Sequence, residues 1–383
     1  MSSLQANWNY PTSVLVGAGR WKELVQCCEQ LGIRTPLLVT DPGLAALPLT
    51  AELLSHCNAN GLTATLFSDV KGNPTSANVD AGVAAFRAGH HDGVIALGGG
   101  SALDAGKAVA LMVGQDQPIW AFEDVGDNWT RVNTAGMVPV VAIPTTAGTG
   151  SEVGRSSVIT DAENKVKKII FHPNMLPGKV ILDPILSVGL PAKLTAATGM
   201  DALSHNLEAL CSNFYHPMAE GIALEGIRLV QEYLPRAVAD GQDLEARTHM
   251  LVASAMGATA FQKGLGAMHA LAHSLGALYD AHHGMLNAIL MPYVLQANRS
   301  AIEDRIVRLA RYLNLEEASF AGFLQWILAL RAQVGIPHGL SALGIDTTQA
   351  TVVAAMSARD PAAGGNPIAF STAQYEALFR EAI

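Results

Sequence analysis

The first half of the chain alternates between two hydrophobic patterns. Short runs of Val, Ile and Leu recur as "SVLVGAG", "TPLLVTD", "LTATLFS", "DGVIALGGG", "VPVVAIPTT" and "KVILDP". Between them lie segments with apolar residues at helical spacing, such as "RWKELVQCCEQLG" and "NVDAGVAAFRAG". Strand and helix in alternation predict an α/β domain with a mainly parallel sheet, whose ligand crevice lies at the carboxyl ends of the strands. After "LDPILSVGLP" the strand pattern stops. Long helical patterns follow, including "AKLTAATGMDALSHNLEALC", "PMAEGIALEGIRLVQEYLPRAV", "LEARTHMLVASAMGATAFQ", "IEDRIVRLARYL" and "FAGFLQWILALRAQVG". The pattern predicts two domains, an α/β domain over 1–188 and an all-α domain over 189–383.

Composition narrows the function. Half of the 383 residues are apolar and 15% are charged, which suits a well-packed enzyme and excludes a disordered chain. The net charge is −9 and the one basic run is "KVKK" at 165–168, read as a solvated strand edge. A nucleic-acid or anionic-membrane surface is therefore not expected. Cys27, Cys28, Cys57 and Cys211 form no CxxC pair and are read as thiols in a reducing compartment. "MSSLQANWNYPTS" lacks the basic and apolar regions of an export signal, and no apolar run has the length of a membrane span. The expectation is a cytoplasmic protein.

Two glycine loops compete for a phosphate. In "VLVGAGRWKEL", Gly17 and Gly19 follow a strand, and Asp41 comes about 22 residues later, but Lys22 stands where the dinucleotide fingerprint wants its third glycine. In "VIALGGGSALDAGKAVALM", an apolar strand ends in Gly98, Gly99, Gly100 and Ser101, and a helix follows. There the backbone can approach an anion closely and the new helix presents free N–H groups. Lys107, two turns on, is expected to pack or pair. "PTTAGTGSEVGR" ends another strand with Thr145, Thr146, Thr149 and Ser151 as donors for phosphate or ribose. Asp41, if it ends its strand beside them, accepts from the adenosine 2′-hydroxyl and repels a 2′-phosphate, favouring NAD over NADP.

The helical half carries the second chemistry. Asp201 and His205 are four apart in one helical pattern, as are His269 and His273 in the next. Carboxylate and imidazole groups on facing helices are a common way to build a metal site. Asp201, His205, His269 and one of His273, His282 or His283 would suit a divalent first-row ion; periodicity does not choose the fourth.

Six motifs in order, "GGGSALDAGKA", "PTTAGTGSEV", "LDP", "TGMDALSHNLEA", "HALAHSLGALYDAHHGMLNAILMPYV" and a late "NP", resemble the iron-containing (group III) alcohol dehydrogenases, among them lactaldehyde reductase and 1,3-propanediol dehydrogenase. The resemblance covers essentially the whole chain. It implies a dinucleotide-binding α/β domain, an all-helical domain and an active site in the cleft between them. It implies Asp201, His205, His269 and His283 as metal ligands, Fe2+ by family habit and Zn2+ or another divalent ion as alternatives. It makes Gly98–Ser101 the pyrophosphate loop, with Thr145, Thr146, Thr149 and Lys167 beside the cofactor. It makes His273 a proton relay near the nicotinamide and leaves His282 structural. The implied activity is NAD(H)-linked oxidation of a small primary alcohol or reduction of its aldehyde, by a homodimer or higher homo-oligomer. Glycerol or polyol dehydrogenases, the metal-independent maleylacetate reductases, a zinc hydrolase and a non-catalytic scaffold are the competing readings. The filled ligand set places the chain on the metal-dependent side. Lys263 or Arg155, if aimed at the substrate, would select an anionic aldehyde.

Overall fold

The computed structural model describes residues 6–8 and 12–383. Most of the N-terminal stretch read for an export signal lies outside them. Contacts divide the chain into two units, Met1–Thr146 with Gly150–Gly189, and Leu190–Ile383 with Ala147–Thr149.

The first unit contains β1 (Ala6–Trp8), β2 (Ser13–Val16), α1 (Leu24–Gln30), β3 (Pro36–Val39), α2 (Pro42–Ala45), α3 (Pro48–Ala59), β4 (Thr65–Phe67), α4 (Ser76–Ala88), β5 (Gly93–Gly98), α5 (Gly100–Met112), β6 (Val140–Pro144), β7 (Ser156–Asp161), β8 (Val166–Phe171) and β9 (Lys179–Leu182). The main sheet runs β1-β2-β9-β6-β5-β3-β4. All its pairs are parallel except β1 with β2. Strands β3, β5 and β6 are buried along their whole length. A parallel strand covered on both faces must be apolar at every position, and the runs "PLLV", "VIAL" and "VVAI" are. Leu38, Ile95, Leu97, Val141, Ile143 and Ile181 pack there with Trp21, Leu24 and Leu53 from flanking segments. From β3 the chain steps to β4 on one side, then crosses to β5 on the other. The strand order thus reverses between β3 and β5, where a ligand crevice is expected at the carboxyl ends. Cys27, Cys28, Cys57 and Cys211 are all free and buried.

The sequence reading gave no hairpin, yet β7 and β8 pair antiparallel in a sheet of their own. Burial alternates along β7, so its strand character lies in a period of two that the hydroxyl-rich "SSVITD" shows only faintly. The basic run lies at the open edge of this hairpin, with Lys165 exposed and Lys168 committed to partners. Lys168 pairs with Asp161 at 3.3 Å and Glu123 at 3.4 Å and lies over the Trp120 ring.

The second unit is helical: α6 (Ala192–Cys211), α7 (Pro217–Ala239), α8 (Leu244–Ala260), α9 (Ala267–Tyr279), α10 (His283–Tyr312), α11 (Phe320–Gln333), α12 (Ala350–Ser357) and α13 (Thr372–Glu381). Among the described residues no strand follows β9. Every residue of α6 from Thr195 to Cys211 is buried, which marks it as the central helix of this unit. Its polar residues are therefore held by partners; Asn206 donates to the carbonyls of Ala202 at 2.8 Å and Ala253 at 3.1 Å. The segment "IEDRIVRLARYL" is the later part of α10, which runs unbroken through Pro292 for 30 residues. No helix among the described residues is long and apolar enough to cross a membrane.

Candidate active site

In the first unit the structure separates the two glycine loops by what occupies their N–H groups. Asp183, of the "LDP" motif, is fully buried and accepts from the Trp21 N–H at 2.9 Å and the Ile185 N–H at 3.0 Å. The loop after β2 is thus closed by a carboxylate of its own chain and has no need of a phosphate. The loop after β5 has no such closure. Gly98 has φ +141°, Gly99 is the N-cap of the 13-residue α5, and no side chain caps that helix. A helix start with unsatisfied N–H groups and the positive end of the dipole is an anion site.

Three of the predicted neighbours, Thr145, Thr146 and Asp41, lie there. The Thr145 N–H donates to the Gly98 carbonyl at 3.0 Å. A Cβ on Gly99 would lie 3.5 Å from the Thr146 hydroxyl, and one on Gly98 would lie 3.6 Å from Asp41 Oδ2. The other Asp41 oxygen accepts from the Leu44 N–H at 3.0 Å and caps α2. Asp41, Gly98, Gly99 and Thr146 therefore sit together where the strand order reverses. Thr149 belongs to the helical unit, and Lys167 lies on β8 opposite Thr160. Lys107 pairs as expected. It is buried, donates to the carbonyls of Ser151 and Ser156, and lies 3.3 Å from Asp104. Asp104 in turn accepts from Ser151 Oγ and the Val158 N–H, so this network ties α5 to the strand-end loop. Glu152 beside it is 1% exposed with no partner for Oε1, and burial pushes its carboxyl up to about 7.

In the second unit, donor atoms of Asp201, His205, His269 and His283 all lie within 4.8 Å of one another. Tetrahedral ligands at about 2.0–2.2 Å from one centre lie about 3.3–3.6 Å apart, so a spread of up to 4.8 Å closes on an ion with side-chain shifts of about an ångström. Three imidazoles and one carboxylate suit Fe2+ or Zn2+. Helix α6 supplies Asp201 and His205, α9 supplies His269, and His283 opens α10. His205 Nδ1 lies 3.2 Å from the Gly148 carbonyl, and His269 Nδ1 lies 2.7 Å from Glu208 Oε2. Both contacts place the N–H on Nδ1 and leave the Nε2 lone pair for an ion. Burial holds His269 well below the usual histidine range, which favours the neutral imidazole.

His282 is the N-cap of α10, accepting from the Met285 N–H at 3.3 Å, which is the structural role expected of it. His273 stacks on His283 with ring centres 5.3 Å apart, and its Nδ1 faces Asp360 Oδ2 at 3.0 Å. Sequence reasoning missed Glu208, Asn287, Asp360 and the task of Asn366. Asn287 Nδ2 lies 2.8 Å from Asp201 Oδ1 and 3.2 Å from the Nε2 atoms of His269 and His283. Asn366, of the late "NP", accepts from the Ala267 N–H at 3.0 Å and so fixes the start of α9. Spacing offered one signal: Glu208 follows His205 by three on the same helix face.

A family model described as iron-containing alcohol dehydrogenase matches residues 11–184. A second, for the C-terminal region of the Fe-containing alcohol dehydrogenase family, matches 195–383. The protein belongs to the iron-containing alcohol dehydrogenase family. Among its relatives, a 4-hydroxybutyrate dehydrogenase of Cupriavidus necator is 37% identical over 98% of this chain and 99% of the relative. An NAD-dependent methanol dehydrogenase of Bacillus methanolicus is 35% identical, covering 94% of this chain and 95% of the relative. A crystal structure of a 1,3-propanediol oxidoreductase superposes with a TM-score of 0.92 at 35% identity, covering both chains fully. This family member is accordingly an oxidoreductase of the NAD-dependent alcohol dehydrogenase type, with an Asp/His cluster able to hold the metal that the family name announces.

Lys263 and Arg155 read from the sequence either as surface cations or as receptors for an anionic substrate. Lys263 is 1% exposed, pairs with Glu220 at 2.9 Å and donates to the Leu210 carbonyl at 3.1 Å. A buried ammonium committed to a carboxylate is a structural tie and not a receptor for an anionic substrate. Arg155 lies over the Phe171 ring.

Proposed function

We propose that the protein is a metal-dependent, NAD(H)-linked alcohol dehydrogenase and aldehyde reductase for a small primary alcohol. Asp201, His205, His269 and His283 hold the ion, and the observation that carries the reading is their convergence on one point. A bound divalent ion and nicotinamide supply the Lewis acidity and the hydride acceptor. The chain does the rest. Gly98, Gly99, Gly100 and Ser101, at the start of α5, receive the pyrophosphate. Thr145, Thr146, Thr149 and Lys167 contact the rest of the cofactor. Asp41 accepts from a ribose 2′-hydroxyl and repels a 2′-phosphate, which favours NAD. His273, with Nδ1 against Asp360, keeps Nε2 available to take up the proton that the alcohol must lose. With Lys263 committed to Glu220, Arg155 is left as the cation that would receive an anionic aldehyde. The chain is placed in the cytoplasm as a homodimer or higher homo-oligomer. Phe214, Tyr215 and Met218 expose 57%, 93% and 61% of their surface, which supports association.

The test is NADH consumption with a panel of short neutral and carboxylated aldehydes, on protein stripped by chelator and then given Fe2+ or Zn2+. Activity is expected to vanish on stripping and return with the ion. Equal activity before and after would move the chain to the metal-independent reductases.

A further inference from the structure

Outside the four ligands, one buried carboxylate touches both the metal cluster and the backbone that carries it. Glu208 lies on α6, three residues after His205 and seven after Asp201, hence on the same face. It is 7% exposed. Oε2 accepts from the Gly266 N–H at 2.8 Å and from His269 Nδ1 at 2.7 Å, and Oε1 accepts from the Met268 N–H at 2.8 Å. Gly266 and Met268 stand at the start of α9, where N–H groups have no partner within the helix. One side chain thus fixes where α9 begins, how the His269 ring is turned, and which nitrogen carries its proton. A Cβ on Gly266 would lie 2.8 Å from Glu208 Oε1, so the approach is already as close as the backbone permits.

We propose that Glu208 is the positioning residue of the metal site, presenting His269 Nε2 to the ion while anchoring the α9 start to the helix that bears Asp201 and His205. The proposal rests on the metal site advanced above. Glutamine cannot replace the carboxylate. Only one of its two terminal atoms accepts, so its NH2 group must face the N–H of either Met268 or Gly266 and His269. A residue that merely capped α9 would change stability and leave metal affinity alone.

The experiment titrates Co2+ into the full chain against a competing chelator, with NADH binding as the control for the first unit. Glu208→Gln is expected to weaken Co2+ binding by about 10–100-fold, as removal of a ligand's outer partner typically does, with NADH affinity changed less than about twofold. In a His269→Ala background the same substitution is expected to cost nothing further. Wild-type affinity in Glu208→Gln, or an equal loss in both backgrounds, overturns the proposal. If Glu208→Gln fails to fold, Glu208→Asp keeps the charge but withdraws it from His269 and is expected to lose Co2+ to a similar degree; wild-type binding by that variant overturns the proposal too. Failure of the wild-type chain to take up Co2+ strikes the metal site itself and is read separately.

Discussion

Replacing Gly284 by alanine tests whether the metal site depends on how closely two helices cross. Gly284 follows His283 in the first turn of α10 and packs on α6. A Cβ there would fall far inside contact with the Ala197 carbonyl oxygen and 3.0 Å from Asp201 Cβ. Ordinary contact begins near 3.4 Å, so the start of α10 must withdraw by at least about 0.4 Å, and by more at the rigid carbonyl. Metal–ligand distances tolerate about 0.2 Å. His283 Nε2, now 3.7 Å from Asp201 Oδ1, would leave the set, and Co2+ affinity is expected to fall at least about tenfold. Stability should change less. Overpacking costs about 1–3 kcal/mol, and exchanging glycine for alanine inside a helix returns about 0.5–1 kcal/mol. The melting temperature without added metal is thus expected to drop only a few degrees. Gly221→Ala is the control, because nothing lies within 4 Å of its Cβ position in α7. Chelator competition and a thermal melt on the three proteins decide the matter. Wild-type Co2+ affinity in Gly284→Ala would refute the claim that this crossing sets the place of His283.

Three further outcomes are expected. His273→Ala should retain the wild-type metal content and lose about 10²-fold in kcat, with an altered pH–rate profile; unchanged kcat and profile would remove His273 from the reaction. Asp41→Asn keeps an acceptor for the α2 cap but removes the charge, so the ratio of NADP+ to NAD+ kcat/KM should rise about tenfold or more, and an unchanged ratio would show that Asp41 does not face the 2′ position. Glu152 has its carboxyl raised from 4.5 to about 7 by burial, so the folded state holds a proton that the unfolded chain releases. Its contribution is full below about 4.5 and lost as the pH climbs through about 7, by up to roughly 3 kcal/mol. Glu152→Gln should therefore gain on the wild type in melting temperature between pH 5 and 8, and a gap that stays constant over that range would refute the assignment.

Residues with a chemical type of their own were legible before any coordinates. Asp201, His205 and His269 announced themselves as carboxylate and imidazole at helical spacing, whereas the choice of His283 over His273 and His282 came from resemblance and not from spacing. The structure shows why spacing could not choose. All three are neighbours around α9 and α10, and they differ only in what each nitrogen meets: the ligand cluster, Asp360, or the Met285 N–H. The glycine loops were equally ambiguous as text. Both follow strands, and the difference between them is Asp183, which lies 162 residues from Trp21 and fills one loop while the other stays open. The hairpin of β7 and β8 escaped because its buried face is partly hydroxyl and carboxylate, held by Asp104 and by Lys168.

The same contrast explains what was missed at the metal site. Glu208, Asp183 and Asn366 all act through backbone N–H groups, those of Gly266 and Met268, of Trp21 and Ile185, and of Ala267. A backbone donor has no letter in the sequence, so a residue whose task is to satisfy one leaves no pattern to read. Periodicity does report that Glu208 shares a face with Asp201 and His205, but on a helix buried all round a shared face says nothing of which neighbour covers it. That neighbour is the start of α9, placed by the packing of α9 on α10 and of α10 on α6. Once it is in place, an acid three residues after a ligand histidine stops being one more buried polar group. It becomes the group that ties α6 to the start of α9, and Asp201, His205 and Glu208 then read as one face of a single stretch of α6 turned to the two histidines that α9 and α10 bring.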